Sequence, residues 1–204
     1  LGPFTYRGIV IDNDHCDPES WNNHGSIECV NGQWYVFYHR CSRGTQRYRR
    51  LCAEPITINP DGTINEVKMT SQGVGTPFAP GETMMGYQAC ELQGKVYIGV
   101  EEQLKDNAGN CYEEKLTNLY AGDEIYFRYV ESAKDWTKVR LITAGSGKVT
   151  VRMNGKIAGS ITVEGKTGIT KLTEAAIGMP AGRYEVVLKV DAVEGLEIFE
   201  VTME

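Results

Sequence analysis

The first third of this 204-residue chain carries carboxylates, three histidines and an adjacent pair of arginines among its chemistry-bearing side chains. Asp12, Asp14, Asp17, Glu19, Glu28 and Glu54 could exchange protons with a substrate if the fold held two of them across a cleft. By type and position they read first as solvated loop or strand-edge groups. Asp12-x-Asp14 does not make an EF-hand, because no glycine and terminal glutamate follow at the needed spacing. His24 stands just before a strand-like run. A neutral imidazole there can orient water or a hydroxyl, and a histidine hydrogen-bonded in a turn is the competing reading. Arg49 and Arg50 are neighbours in another strand-like run, so alternation sends them to opposite faces of the sheet. A guanidinium donates two parallel hydrogen bonds to paired oxygens, while a surface arginine has nearly equal weight.

Composition narrows what these groups can serve. Net charge is −6, from 21 basic and 27 acidic residues, which lacks the cationic field that nucleic-acid binding requires. The basic run Arg40, Arg43, Arg47, Arg49 and Arg50 is too short and isolated to change that. No stretch approaches the roughly 18 consecutive apolar residues of a membrane helix. Six cysteines, at 16, 29, 41, 52, 90 and 111, show neither C-x-x-C nor a zinc-like cluster. Reduced cysteines are favoured over a disulfide framework, which points weakly to a cytoplasmic or anaerobic setting and leaves secretion open. Leu1-Gly2-Pro3-Phe4 reads as the middle of something, with no signal-peptide pattern behind it.

The elements that must position these groups read as strands. The 23 glycines imply many turns, and the 11 tyrosines imply amphipathic surfaces that meet a polar ligand. Strands are predicted over 6–11, 25–30, 34–38, 49–58 and 64–69, making four or five antiparallel strands of one sheet. Asn31-Gly32 is the hairpin turn, and the continuous apolar run 34–38 implies a strand covered on both faces. Residues 71–85 turn to Gly, Pro, Ser and Thr without apolar periodicity, as a linker does. Eight further strands are predicted over 87–92, 95–100, 124–130, 137–143, 148–153, 158–163, 184–190 and 196–203. That spacing suggests a β-sandwich or jelly roll, with a short helix allowed over 106–116. The fold class is all-β, and the acid excess lies mainly after residue 75.

Two strings in the first part carry a family resemblance. Ser20-Trp21-Asn22-Asn23-His24-Gly25-Ser26-Ile27 is followed by Asn31-Gly32-Gln33-Trp34-Tyr35-Val36-Phe37-Tyr38-His39-Arg40. With Arg49-Arg50-Leu51-Cys52-Ala53-Glu54-Pro55-Ile56 and Asn59-Pro60-Asp61-Gly62, they resemble the fifth blade of the five-bladed β-propellers of glycoside hydrolase family 43. That resemblance covers residues 1–70 and implies hydrolysis of β-xylosides and α-arabinofuranosides in xylan- or arabinan-derived carbohydrate. Inverting hydrolysis needs an acid and a base carboxyl roughly 6.5–9.5 Å apart. The family draws these from the first four blades, so the chain alone is expected to be inactive. The resemblance further implies that His24 sits at the propeller axis, near a calcium of the intact enzyme. It makes Arg49 or Arg50, with Arg49 favoured, a ligand for vicinal sugar hydroxyls or for the acid carboxylate. Trp21 becomes a candidate for the wall of the sugar pocket, with a core role equally open.

Residues 86–204 resemble a family 6 carbohydrate-binding module through Tyr87-Gln88-Ala89-Cys90-Glu91, Ala121-Gly122-Asp123-Glu124-Ile125-Tyr126-Phe127 and Ala181-Gly182-Arg183-Tyr184-Glu185. The stretches that should bring the platform tryptophan and the ligand asparagine, 168–173 and 194–199, contain neither. Tyr112, Tyr120 and Trp136 remain as stacking candidates, each weighed against a packing role. Glu91 maps to the glutamate that holds a structural calcium in such modules. Expected partners are carbohydrate and either the missing propeller blades or another copy of the chain, and neither nucleic acid nor membrane. The competing reading is a stand-alone, non-catalytic module that binds carbohydrate or another protein.

Overall fold

The computed structural model describes residues 2–16, 24–45, 47–100 and 114–204. Its first sheet has three antiparallel strands, β1 (Ser26–Val30), β2 (Gln33–Ser42) and β3 (Tyr48–Ile56), in the order β1-β2-β3. Asn31 and Gly32 both take positive φ, 51° and 84°, and the Val30–Gln33 pair closes the predicted hairpin. Strand β2 is not covered on both faces. Val36, Tyr38 and Arg40 are buried, while Tyr35, Phe37 and His39 between them are only half-buried. Residues 6–11 and 64–69 are extended chain and add no strand, touching only through the bridges Ile11–Val67 and Ile58–Ile64.

The second unit is one connected sheet of nine strands folded over itself. They are β4 (Thr83–Met85), β5 (Glu91–Gln93), β6 (Tyr97–Val100), β7 (Glu114–Thr117), β8 (Glu124–Ser132), β9 (Trp136–Met153), β10 (Lys156–Val163), β11 (Lys171–Met179) and β12 (Gly182–Met203). Strands β9 and β12 pair along nearly their whole lengths and bend together, so each serves both layers of the sandwich. One half of β12 continues to β8 and β5, and the other to β4, β7 and β6. The bend requires glycine, since a Cβ on Gly145 would lie 2.0 Å from the Gly195 carbonyl oxygen. Alternate residues fill the space between the layers. Val149, Val151 and Met153 of β9 meet Val186, Leu188 and Val190 of β12, with Phe127, Ile198 and Trp136 in the same core.

The described residues contain no α-helix, only the 3-10 turn Gly86–Gln88. Of the helix allowed over 106–116, residues 106–113 lie outside the described residues, and the remainder belongs to β7. No helix among the described residues is long and apolar enough to cross a membrane.

The stretch read as a linker is stitched to the sandwich. The Ser71 amide donates to the Arg128 carbonyl at 2.6 Å, and Phe78 exchanges backbone bonds with Tyr129 and Glu131 of β8. The small sheet packs on the same layer. Arg40 donates to the carbonyls of Ala89 (2.5 Å) and Tyr87 (2.8 Å), and the Arg43 amide to that of Ile98 (2.7 Å). Cys16, Tyr38, Met69 and Cys90 form a small second core at this junction. A three-stranded sheet exposes both edges and buries little by itself, so docking supplies the cover it lacks.

Candidate functional site

The hairpin register sorts the chemistry-bearing residues onto two faces. Arg40 pairs with Arg50, Tyr38 with Cys52 and Val36 with Glu54, and this face looks toward the sandwich. His39 pairs with Leu51 and Cys41 with Arg49, and this face is the other one.

On the second face the structure brings His24 and His39 together and sets Arg49 on the neighbouring strand of the same face. Extending the β1–β2 register from Ser26–Phe37 sets His24 opposite His39. Their rings meet edge to face at 5.1 Å, and the His24 amide donates to His39 Nδ1 at 3.3 Å. A Cβ on Gly25 would fall 2.7 Å from the Phe37 carbonyl oxygen, which is why a glycine must follow the histidine. Arg49 is exposed and lies diagonally across from His39. Leu51, 79% exposed, stands between them. His39 Nε2 is buried without a hydrogen-bond partner among the described residues. Trp21 and Tyr112 lie outside the described residues.

Arg50 lies on the sandwich-facing side. It pairs with Glu114 and stacks 5.1 Å from the Tyr87 ring centre. Burial first, then the like charge of Arg40, lowers its pKa. Beside it, Glu54 is only 2% exposed. Its carboxylate accepts from Tyr38 Oη (3.2 Å), the Thr70 amide (2.7 Å) and Thr70 Oγ1 (2.8 Å). Burial pushes its pKa above the ordinary carboxylate value, against the pull of the Thr70 and Tyr38 bonds. These three bonds tie the chain after residue 69 to the sheet, which makes Glu54 a structural group rather than a solvated strand-edge one. A hollow of about 320 Å³ opens here, with Arg50, Glu54, Thr70, Gln72, Tyr87 and Gln88 in its walls.

Three expectations for the second unit are corrected or refined. Trp136 is fully buried, and its Nε1 donates to the Gly182 carbonyl at 3.3 Å, so its ring is core and offers no stacking surface. Tyr120 is 48% exposed, with Lys95 Nζ 4.7 Å from its ring centre. Glu91 does not fit a calcium ligand. Its Oε2 is taken by the Arg128 guanidinium, which also binds Glu185, and its Oε1 accepts from Gln93 Nε2 at 2.7 Å. A fixed guanidinium already supplies the positive charge that a cation would bring. Among the described residues no three His, Cys, Asp or Glu side chains converge as a metal site. Cys29, Cys41, Cys52 and Cys90 are free thiols.

Sequence reasoning missed His39, Glu54's partners and the Arg40 clamp. The parity of the hairpin could have found Tyr38 and Arg40, because Tyr38, Arg40, Arg50, Cys52 and Glu54 share one face once Asn31-Gly32 sets the register.

The comparisons with known proteins cover both the small sheet and the sandwich on which it docks. The chain is 32% identical to a xylosidase/arabinosidase of Thermoclostridium stercorarium, over 88% of this chain and 44% of that protein. It therefore spans less than half the length of that relative. Among solved structures, a family 43 arabinoxylan arabinofuranohydrolase from Bacillus subtilis superposes on 99% of this chain and 45% of its own, with TM-score 0.59 and 23% identity. A family 6 carbohydrate-binding module from Clostridium stercorarium superposes on 64% of this chain and 98% of its own, with TM-score 0.53 and 17% identity. No protein-family model matches the chain. The chain thus resembles part of a family 43 glycoside hydrolase together with a family 6-like module.

Proposed function

We propose that this chain is the carboxy-terminal portion of a glycoside hydrolase acting on xylose- or arabinose-containing poly- or oligosaccharides. In this reading residues 1–70 are the last propeller blade and the sandwich is an accessory carbohydrate-binding domain that also braces the blade. The observation that carries it is the alignment with the xylosidase/arabinosidase, which runs through both units and across their junction. The open face with His24, His39 and Arg49 is the side on which further blades would lie. There a guanidinium and an imidazole suit vicinal hydroxyls. A calcium near His24 belongs to the intact propeller in this proposal, and no step here depends on it.

The described carboxylates take no catalytic part. Glu54 is consumed by Tyr38 and Thr70, and Glu91 and Glu185 by Arg128. The 204-residue chain is accordingly expected to leave nitrophenyl xyloside and nitrophenyl arabinofuranoside intact while giving heat on titration with xylo- or arabino-oligosaccharides. Hydrolysis by this chain would overturn the assignment of catalysis to other blades. A flat titration with both sugar series would remove the carbohydrate-binding role and favour a protein-interaction module.

A further inference from the structure

The sandwich has a second hollow, of about 450 Å³, next to the one beside Glu54, and Gln72 and Gln88 line both. Arg50 and Tyr87 stand at one end of this groove, and Thr76 and Glu82 at the other. It runs along the junction between the small sheet and the sandwich, away from the His24 face and from Tyr120.

The two glutamines are oriented by the backbone. Gln72 Oε1 accepts from the Tyr129 amide at 3.1 Å, and Gln88 Oε1 from the Met85 amide at 2.8 Å. Because a backbone amide is always a donor, the oxygen of each side chain is identified, and the NH2 of each is left over. No described group accepts from either NH2, so four N–H donors remain for a ligand. Of the charges nearby, Arg50 pairs with Glu114, Arg40 donates to the Ala89 and Tyr87 carbonyls, and Glu82 Oε2 accepts from the Ala79 amide at 2.7 Å. A wall of fixed amides, hydroxyls and half-buried aromatic surface, with Arg50 and Glu82 of opposite sign at its two ends, suits neither an anion nor an apolar peptide. It suits an uncharged chain rich in hydroxyls, and each hollow is within the usual size of a small-ligand site.

We infer that this groove binds a neutral oligosaccharide strand, with the Gln72 and Gln88 amides donating to sugar hydroxyls. The inference rests on the carbohydrate reading of the chain and adds the place and the residues. The test is calorimetric titration of the 204-residue chain with xylohexaose and arabinohexaose, beside two groove variants and a Tyr120→Ala control. The double variant Gln72→Glu/Gln88→Glu keeps both oxygens that accept from the backbone and removes all four donors. Thr76→Trp, at an exposed position, fills the second hollow without touching either bond, and decides the matter if the double variant does not fold. Each groove variant is expected to weaken binding about tenfold or more, with Tyr120→Ala unchanged. Unchanged affinity in folded groove variants, with loss in Tyr120→Ala, would overturn the groove and leave the carbohydrate reading standing. No binding of either sugar by the unaltered chain would overturn both.

Discussion

Replacing Arg128 by methionine is expected to cost about 3–5 kcal/mol of stability, the largest effect of any single change on the polar groups of this chain. Arg128 is 6% exposed, and its guanidinium holds Glu91 and Glu185 together on the outer face of the layer that receives the small sheet. It also donates to the Met69 carbonyl at 3.3 Å, which joins β8 to the chain arriving from β3. Without it, two partly buried carboxylates face each other with no cation between them, and the Met69 carbonyl loses a donor. The apolar stem of methionine preserves most of the packing, so the loss reports on the charge. Urea unfolding of the variant checks this, and a midpoint equivalent to a loss under about 1 kcal/mol would refute the clamp. Adding Glu91→Gln and Glu185→Gln to the same variant should restore part of the loss, because the stranded charges are then gone.

The second large effect belongs to Glu54. Glu54→Ala strands the Tyr38 hydroxyl and the Thr70 amide in a buried place, at a cost of about 2–4 kcal/mol. The pH dependence carries a sign that separates charge from hydrogen bonding. Burial raises the folded pKa of Glu54, so the folded state takes up its proton at higher pH than the unfolded chain. The stabilisation from that proton is complete below the unfolded glutamate value and is lost as pH rises through the folded one. Glu54→Gln, which keeps an acceptor for Thr70, should therefore remove a decline in stability that the unaltered protein shows above about pH 4. Unfolding curves collected across that range measure it. A Glu54→Gln profile that parallels the unaltered protein would show that Glu54 carries no raised pKa.

Much of this arrangement is legible in the chain itself. Asn31-Gly32 places the hairpin, and its register then decides that Arg49 and Arg50 part company, one to each face. The strands of the sandwich are legible where Val, Ile and Tyr alternate with polar residues, as in β8 and β10. Elsewhere tertiary context overrides local pattern. Strand β9 reads as two strands because Ala144-Gly145-Ser146-Gly147 resembles a turn, yet those glycines let a continuous strand bend against Gly195. Strand β11 is invisible beforehand, since Lys171-Leu172-Thr173-Glu174-Ala175-Ala176 has little β-propensity and is held by pairing with β9. Residues 64–69 have a strand-like pattern but find only bridges, because Thr70 and Ser71 are drawn to Glu54 and β8. The Arg128 clamp joins residues 37 and 57 apart in sequence, and the pairing of Glu91 and Glu185 through it appears only once β5, β8 and β12 are side by side.

The same distinction applies to function. The resemblance of the first part to a family 43 blade and of the second to a family 6 module set the expectation, and the comparisons carry that likeness across the junction. Of the candidates in the sandwich, Trp136, read as a stacking surface, is core, and Glu91, read as a calcium ligand, is bound by an arginine. What the structure offers in their place is the junction, where small sheet, connecting segment and sandwich share one groove.

The most direct measurement is glycosidase activity of this chain joined to any open reading frame found upstream of the Leu1 codon, assayed on nitrophenyl arabinofuranoside, nitrophenyl xyloside and arabinoxylan. Release of pentose from at least one of them is expected, with its loss when Arg49 or His24 is replaced by alanine. A longer, well-folded protein that bears the preceding blades and releases no pentose from any of the three would contradict it.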